Sequence, residues 1–286
     1  MTEDLARLRR WFAEDLRLRT GLGDAAVVDA FAAVPRERFL GTGPWLVMPS
    51  PDRPFTTPDD DPRWLYHDVL VSIDAERGIN NGLPSLWAHA FDRLALRPGE
   101  RVMQIGAGTG YYAAVLAEIV GRRGGVVAIE HDAALAAQAR DNLAAWPQVE
   151  AIAGDGRTHD AGALDAVVVF AGSTHPAPLW LDRLRDGGRL MMPLTAANRW
   201  GFMLRATREG AAFGAASVGP VGFIPCIGGR DEAAAERLQT ALEALGRSTV
   251  PIRALHRGAP TAADADRVWY AGPGFWLERD PSPGAG

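Results

Sequence analysis

Glycine stands at three positions in five, Gly106, Gly108 and Gly110, between two apolar runs. This spacing strips away Cβ atoms where a chain bends sharply, so a ribose or an amino-acid moiety can lie against bare backbone. A dinucleotide loop reads G-x-G-x-x-G, and its last glycine would fall on Tyr111. The shorter pattern suits a nucleoside cofactor without a pyrophosphate. Twenty residues after Gly110, Glu130 closes an apolar run, and a carboxylate there can accept hydrogen bonds from both ribose hydroxyls of an adenosine. His131 follows, placed to flank adenine. Asp155, between Gly154 and Gly156, can read the adenine edge through its carboxylate or the adjoining amides. Upstream, Tyr66, His67 and Asp68 bring a phenol, an imidazole and a carboxylate together; His67 beside Asp68 resembles an oriented base, although neighbours on a strand point to opposite faces.

The elements that must position these groups follow from apolar periodicity. Val102, Met103 and Ile105 predict a buried strand entering the glycine turn, and Ala113 to Val120 the helix leaving it. Further strands are expected near 126–130, 149–152, 165–170 and 188–193, with helices between and a closing hairpin from 202–207 and 217–224. That alternation predicts an α/β fold on a mostly parallel sheet, whose ligands bind at the carboxyl ends of the strands. Leu5, Leu8, Trp11, Phe12 and Leu16 fall at helical spacing, and Val27, Val28, Phe31 and Val34 repeat it before Pro35, giving a helical cap. Residues 41–64 turn to Pro, Asp and Gly, and Trp45, Phe55 and Trp64 predict an ordered flap there. Residues 231–245 read as a helix, 267–277 as a strand pair or a closure over the pocket, and 281–286 as a frayed tail. Three zones result: a cap and substrate-side loop over 1–95, a core over 96–230 and an extension over 231–286.

VMQIGAGTGYYAAVLAEIVG, VVAIEHD, the Gly154-Asp155-Gly156 triplet, LDAVVVFAG and DGGRLMMPL resemble the successive motifs of an S-adenosylmethionine-dependent methyltransferase. VPRERFL at 34–40, LYHDVLV at 65–71 and FIPCIGG at 223–229 are similar to segments of the protein-L-isoaspartate O-methyltransferase family, and the likeness spans about residues 25 to 230. The resemblance implies a Rossmann-like class I methyltransferase with a seven-stranded, mostly parallel sheet. It implies S-adenosyl-L-methionine as cofactor, held by Gly106, Ala107, Gly108, Gly110, Glu130, His131, Asp155, Gly156 and Phe170. It also places the methyl acceptor beside Tyr66, His67, Asp68 and Asn81. One departure concerns the acceptor: Asn80-Asn81-Gly82-Leu83-Pro84-Ser85 stands where the family carries Thr-Ile-Ser-Gln-Pro-Tyr, so the family's serine falls on Gly82 and Ser85 is the nearest hydroxyl. A second is Gln104, where a glutamate is usual.

Composition bounds the partners. With 286 residues and 47% apolar content the chain can bury a full α/β core. A net charge of −5 argues against a nucleic-acid partner, which needs a clustered basic face. Arg7, Arg9, Arg10, Arg17 and Arg19 are interleaved with Glu3, Asp4, Glu14 and Asp15, a solvated helix face. Cys226 is the only cysteine, set in an apolar run and expected to pack as a small hydrophobe; cytoplasm is the expected compartment. No signal peptide, membrane span, metal-ligand spacing or nucleophile elbow is read. His89 reads as a half-buried helix residue, and His159, His175 and His256 as surface or loop residues.

The implied chemistry is an in-line displacement at a sulfonium methyl, with catalysis mainly by positioning. A carboxylate acceptor is ionised already, whereas a phenol, amine or carbon nucleophile must lose a proton. Three readings stay open: O-methylation of a peptide or protein carboxylate, methylation of an aromatic small molecule, and cofactor binding without catalysis. The retained VPRERFL and FIPCIGG segments favour the first, and the missing serine and the aromatic flap favour the second.

Overall fold

The computed structural model describes residues 2–49, 53–246 and 248–281, in two compact units that divide between Gly156 and Arg157. In the first unit the amino-terminal periodicity becomes α1 (Thr2–Thr20) and α2 (Ala25–Ala33). Asp24 starts α2 by accepting the Ala26 N–H, and Phe12, Leu16, Val27, Val28 and Phe31 turn inward. Trp11 departs from the expected apolar face and lies 74% exposed, because the buried stripe runs through Phe12, Ala13 and Leu16 instead. The arginines of this segment form surface pairs, Arg10 with Asp29, Arg17 with Glu14 and Arg19 with Asp15.

The Pro/Asp/Gly segment is ordered where it is described. Strands β1 (Leu46–Met48), β2 (Phe55–Thr56), β3 (Leu70–Asp74) and β4 (Ile79–Asn80) form a small antiparallel sheet in the order β2-β1-β3-β4. Trp45, Val47, Leu65, Val69 and Val71 make its own apolar cluster, and Phe55 meets Trp64 edge to face. Helix α3 (Pro84–Leu94) follows, with proline in its first turn, where a missing N–H is harmless. Then come β5 (Arg101–Ile105), α4 (Tyr111–Val120), β6 (Gly125–Glu130), α5 (Ala133–Asn142) and β7 (Val149–Ala153). The three strands are parallel, with Ile105 opposite Ile129 and Glu130 opposite Ala153, so their carboxyl ends line up beside the glycine turn. Helix α4 is buried at every position but Glu118. Ala113, Ala114 and Ala117 are the small residues among its large apolar ones.

The second unit holds β8 (Leu164–Val169), α6 (Pro178–Arg183), β9 (Leu184–Thr195), β10 (Trp200–Glu209), β11 (Ala212–Gly222), α7 (Glu232–Leu245), β12 (Ile252–Arg257), β13 (Val268–Gly272) and β14 (Phe275–Arg279). Only the β8–β9 pair among these is parallel; β9–β10, β10–β11, β11–β12, β12–β14 and β13–β14 are antiparallel. The expected closing hairpin is β10–β11, and residues 267–277 form a strand pair across a two-residue turn, Gly272 facing Phe275.

The α/β class and the parallel run after the glycine turn agree with expectation, but the strands do not stop at seven. The extension adds β12 to β14, whose aromatic residues bury against the layer: Tyr270, Phe275 and Trp276 are all under 5% exposed. The expected frayed tail lies outside the described residues beyond position 281. Among the described residues no helix is long and apolar enough to cross a membrane.

Candidate active site

The glycine turn is built by backbone geometry. The N–H groups of Gly106 and Ala107 both donate to Ile129 O, at 2.8 and 3.1 Å, which ties the turn to the end of β6. Gly108 sits at φ +56°, in the left-handed region, and its N–H donates to Glu130 Oε2 at 2.8 Å. The other carboxylate oxygen, Oε1, accepts the Asp132 N–H at 3.0 Å. Glu130 thus braces the turn it was expected to serve. A carboxylate offers about four lone-pair sites, so the two amides leave acceptor capacity for a diol. Gly110 has a packing reason as well: a Cβ there would come within 2.8 Å of Leu143 Cδ1. At Gly156 a Cβ would come within 2.7 Å of Ile105 Cγ1, so the turn after β7 also needs a bare backbone. His131 and Asp155 are exposed beside these strand ends. The residues of the first unit expected to hold the cofactor, Gly106, Ala107, Gly108, Gly110, Glu130, His131, Asp155 and Gly156, therefore lie at or just after the ends of three neighbouring parallel strands, and they fit a nucleoside. Gln104 is fully buried two residues before the turn, and neither atom of its amide has a partner among the described residues. Phe170 follows β8 in the second unit.

The acceptor-side residues are organised by one buried cation. Arg36, fully buried in the VPRERFL segment, donates to Leu65 O at 2.6 Å, His67 O at 3.1 Å, Val69 O at 2.8 Å and Asn81 Oδ1 at 3.1 Å. Its guanidinium lies over the Phe12 and Tyr111 rings at 6.0 and 5.9 Å. No carboxylate is among these contacts; carbonyl dipoles and ring faces hold the charge. Asn81 Oδ1 also accepts the Val71 N–H, so Asn81 joins the two loops. Asp68 accepts the Ser85 N–H at 2.8 Å and so anchors the first turn of α3. Tyr66 donates its hydroxyl to Glu37; burial first, and that hydrogen bond next, push its phenol above the ordinary range. His67 is exposed.

Gly82 carries the most specific local feature. It sits at φ +78°, its N–H donates to Asn80 Oδ1 at 3.0 Å, and its carbonyl accepts the Tyr112 hydroxyl at 3.1 Å. A Cβ here would lie 2.8 Å from Trp87 Nε1 and 3.3 Å from Tyr112 Cε2. The indole of Trp87 thus fills the space that a side chain at 82 would need. Ile73 of β3 lies 3.7 Å from where a Gly108 Cβ would be, and Arg77 pairs with both Asp74 and Asp132. These contacts bring the β3–β4 arm against the glycine turn.

Sequence reading named Tyr66, His67, Asp68, Asn81 and Ser85 but missed Arg36, Trp87 and Tyr112. The signal for Arg36 was its place directly after Pro35 in the VPRERFL segment; nothing local marks the other two. Of the histidines read as surface or loop residues, His175 does lie in a loop of the second unit, whereas His256 lies on β12. His175 is half-buried, with Nδ1 2.9 Å from Thr174 Oγ1. His256 is stacked at 3.9 Å on Trp276 and bonded to Glu278. Cys226 is buried, as expected of a small hydrophobe.

The family model described as protein-L-isoaspartate(D-aspartate) O-methyltransferase matches residues 12–231. A protein-L-isoaspartate O-methyltransferase of Methylorubrum extorquens (strain PA1) is 37% identical over 231 residues, covering 79% of this chain and 91% of that protein. A relative so named in Archaeoglobus fulgidus is 33% identical over 230 residues, covering 79% and 95%. Among solved structures, a protein-L-isoaspartate O-methyltransferase superposes with a TM-score of 0.66 at 22% identity, over 95% of this chain and 88% of that one. A putative one from Plasmodium falciparum, solved with S-adenosyl-L-homocysteine, gives 0.61 at 19%, over 76% and 97%. At those identities the superpositions speak for the fold.

Proposed function

The chain belongs to the protein-L-isoaspartate(D-aspartate) O-methyltransferase family, and from that premise we propose that it methylates a carboxylate of a peptide or protein. It is an S-adenosylmethionine-dependent methyltransferase. When bound, S-adenosylmethionine supplies a sulfonium methyl, already activated toward a nucleophile. The chain holds the nucleoside with Gly106, Ala107, Gly108 and Gly110 and takes the ribose diol on Glu130, while His131, Asp155 and Gly156 serve the base.

One observation carries the carboxylate reading: the acid–base groups beside the acceptor loop are committed elsewhere. Tyr66 is held protonated against Glu37, Asp68 is used on the Ser85 amide, and His67 faces solvent. A nucleophile that must lose a proton needs a base in hydrogen-bond reach, whereas a carboxylate with a pKa near 4 does not. Arg36 and Asn81 then fix the loop, and the buried Trp87 and Tyr112 back it and keep water out. Because Trp87 fills the space at position 82, the acceptor differs from a simple isoaspartyl peptide in the groups it offers there. Its single cysteine supports the cytoplasm as the compartment.

The test is transfer of labelled methyl from S-adenosylmethionine to a panel of acidic peptides and proteins, followed by mild base. A methyl ester releases labelled methanol; label that survives base marks N-, C- or ether methylation and overturns the reading.

A further inference from the structure

The β3–β4 arm of the first unit has two anchors on the glycine turn. Strand β3 pairs with β4 at Ser72 opposite Asn80 and at Asp74 opposite Ile79, so Ile73 is the extra residue of a β-bulge. A bulge re-aims its side chain, and Ile73 Cδ1 is seated 3.7 Å from where a Gly108 Cβ would be. Among the described residues nothing else comes within 4 Å of that point, apart from the chain neighbours of Gly108. The first anchor therefore occupies the bare side of Gly108, the kind of surface against which a nucleoside rests.

The second anchor is ionic. At the tip of the arm, Asp74 accepts the Arg77 backbone N–H at 3.0 Å and the Arg77 Nε–H at 2.6 Å, which fixes the guanidinium. Arg77 Nη1 then donates to Asp132 Oδ2. The Asp132 N–H donates to Glu130 Oε1, and Glu130 Oε2 accepts the Gly108 N–H. Arg77 thus reaches Gly108 through two carboxylates, while Ile73 reaches it directly. The far end of this link is fixed, because Asp132 Oδ1 caps α5 by accepting the N–H groups of Ala134 and Leu135 at 2.8 and 3.0 Å. The arm is held less firmly: no residue from 72 to 80 is fully buried, 75–78 are exposed, and β4 is two residues long. Segments with few buried contacts open at low cost, and an exposed ion pair is weak and screened by salt.

We propose that this arm is a gate on cofactor exchange, with the Arg77–Asp132 pair as its latch and Ile73 as the part that rests on the turn. The proposal rests on the placement of the nucleoside at Gly106, Gly108 and Gly110, and on nothing about the acceptor. A weak ionic latch beside one apolar contact suits a segment that must open and reclose at each turnover, since it holds the arm down without making opening slow. Arg77 is a positioning residue: it acts through Asp132 and not on the reacting atoms.

The experiment measures exchange, separately from turnover. Association and dissociation rates of S-adenosylhomocysteine are read on the full chain by surface plasmon resonance at low and high salt. A gate must open for entry as well as for exit, so Arg77→Ala should raise both rates by about 2- to 5-fold, the range for losing an exposed ion pair, and Kd should change less than either. Salt should speed exchange in wild type, and Arg77→Ala should lose most of that response. Arg77→Lys should restore part of the slow exchange. Asp132→Asn, which keeps the helix cap, should match Arg77→Ala and add little to it in the double variant. Ile73→Ala should speed exchange through the other anchor. An unchanged urea midpoint in each variant shows that the protein is folded. Unchanged rates in Arg77→Ala overturn the proposal, and so does faster release with slower association, which marks a damaged site and not a freed gate. Glu130→Ala, run alongside, keeps the two claims apart. If it leaves affinity unchanged, the nucleoside lies elsewhere and the gate falls with it; if it weakens binding while Arg77→Ala exchanges like wild type, only the gate fails.

Discussion

Replacing Gly82 by Ser restores the residue type that the family places there, and the structure opposes it twice. The backbone at 82 has φ +78°, a conformation that disfavours an L side chain by roughly 1–2 kcal/mol. The new Cβ would also approach Trp87 Nε1 to 2.8 Å and Cδ1 to 3.1 Å. Trp87 cannot step aside cheaply: it is fully buried and packed against Phe91 and Tyr112 with ring centroids 5.9 and 5.8 Å away. Overpacking of that kind adds about 1–3 kcal/mol. Gly82→Ser should therefore lose about 2–5 kcal/mol of stability in urea unfolding and should not gain isoaspartyl-peptide turnover. Gly82→Ala should lose a similar amount, since the clash begins at Cβ. Adding Trp87→Leu should return the packing part, so the double-mutant cycle reports a coupling of about 1–3 kcal/mol. A Gly82→Ser protein within about 0.5 kcal/mol of wild type that methylates isoaspartyl peptides faster would refute the steric reasoning and the altered-acceptor reading together.

Four further outcomes follow from named contacts. Glu130→Ala should weaken S-adenosylhomocysteine by about 1.5–3 kcal/mol in calorimetry, and should also loosen the Gly108 turn it braces; unchanged affinity removes Glu130 from the site. His67→Ala should leave the rate near normal and flat from about pH 6 to 9 when chemistry limits, because a carboxylate acceptor is ionised throughout; a profile lost with the imidazole would make His67 a base. Glu278 is buried and accepts from Arg267 first, then Arg253 and His256, which hold its pKa down to about 2. A depressed acid stabilises above its unfolded pKa, so about 2–3 kcal/mol should be present above pH 5 and fade as pH falls toward 2; Glu278→Gln should flatten that dependence in acid unfolding curves. Arg36→Leu should cost about 3–5 kcal/mol, since it takes a buried donor away from three backbone carbonyls and Asn81 Oδ1; a loss under 1 kcal/mol by urea titration would show that the loops are held by something else.

The amino-acid sequence by itself determined what short-range pattern can encode. Apolar runs at strand spacing, three glycines in five and an acid at the end of the next strand are local statements, and the folded chain realises them as β5, the turn, and Glu130 opposite Ala153. The helical periodicity before Pro35 and the turn at Gly272-Pro273-Gly274 are likewise local, and both became the expected elements. Family likeness reached further, naming the loop at 80–85 and the absence of its serine. Only the tertiary structure decided what fills that absence, because the filling group, Trp87, turns back from the next helix to meet Gly82. It likewise decided that Arg36 is the organising cation, through an acceptor forty-five residues away, and that Tyr112 reaches the Gly82 carbonyl across thirty. It turned Glu130 from a ligand acceptor alone into a brace for Gly108, and set the loop residue His175 beside Arg157. Burial is the physical reason: a buried donor or charge must find acceptors wherever the fold brings them, and no spacing along the chain records that search.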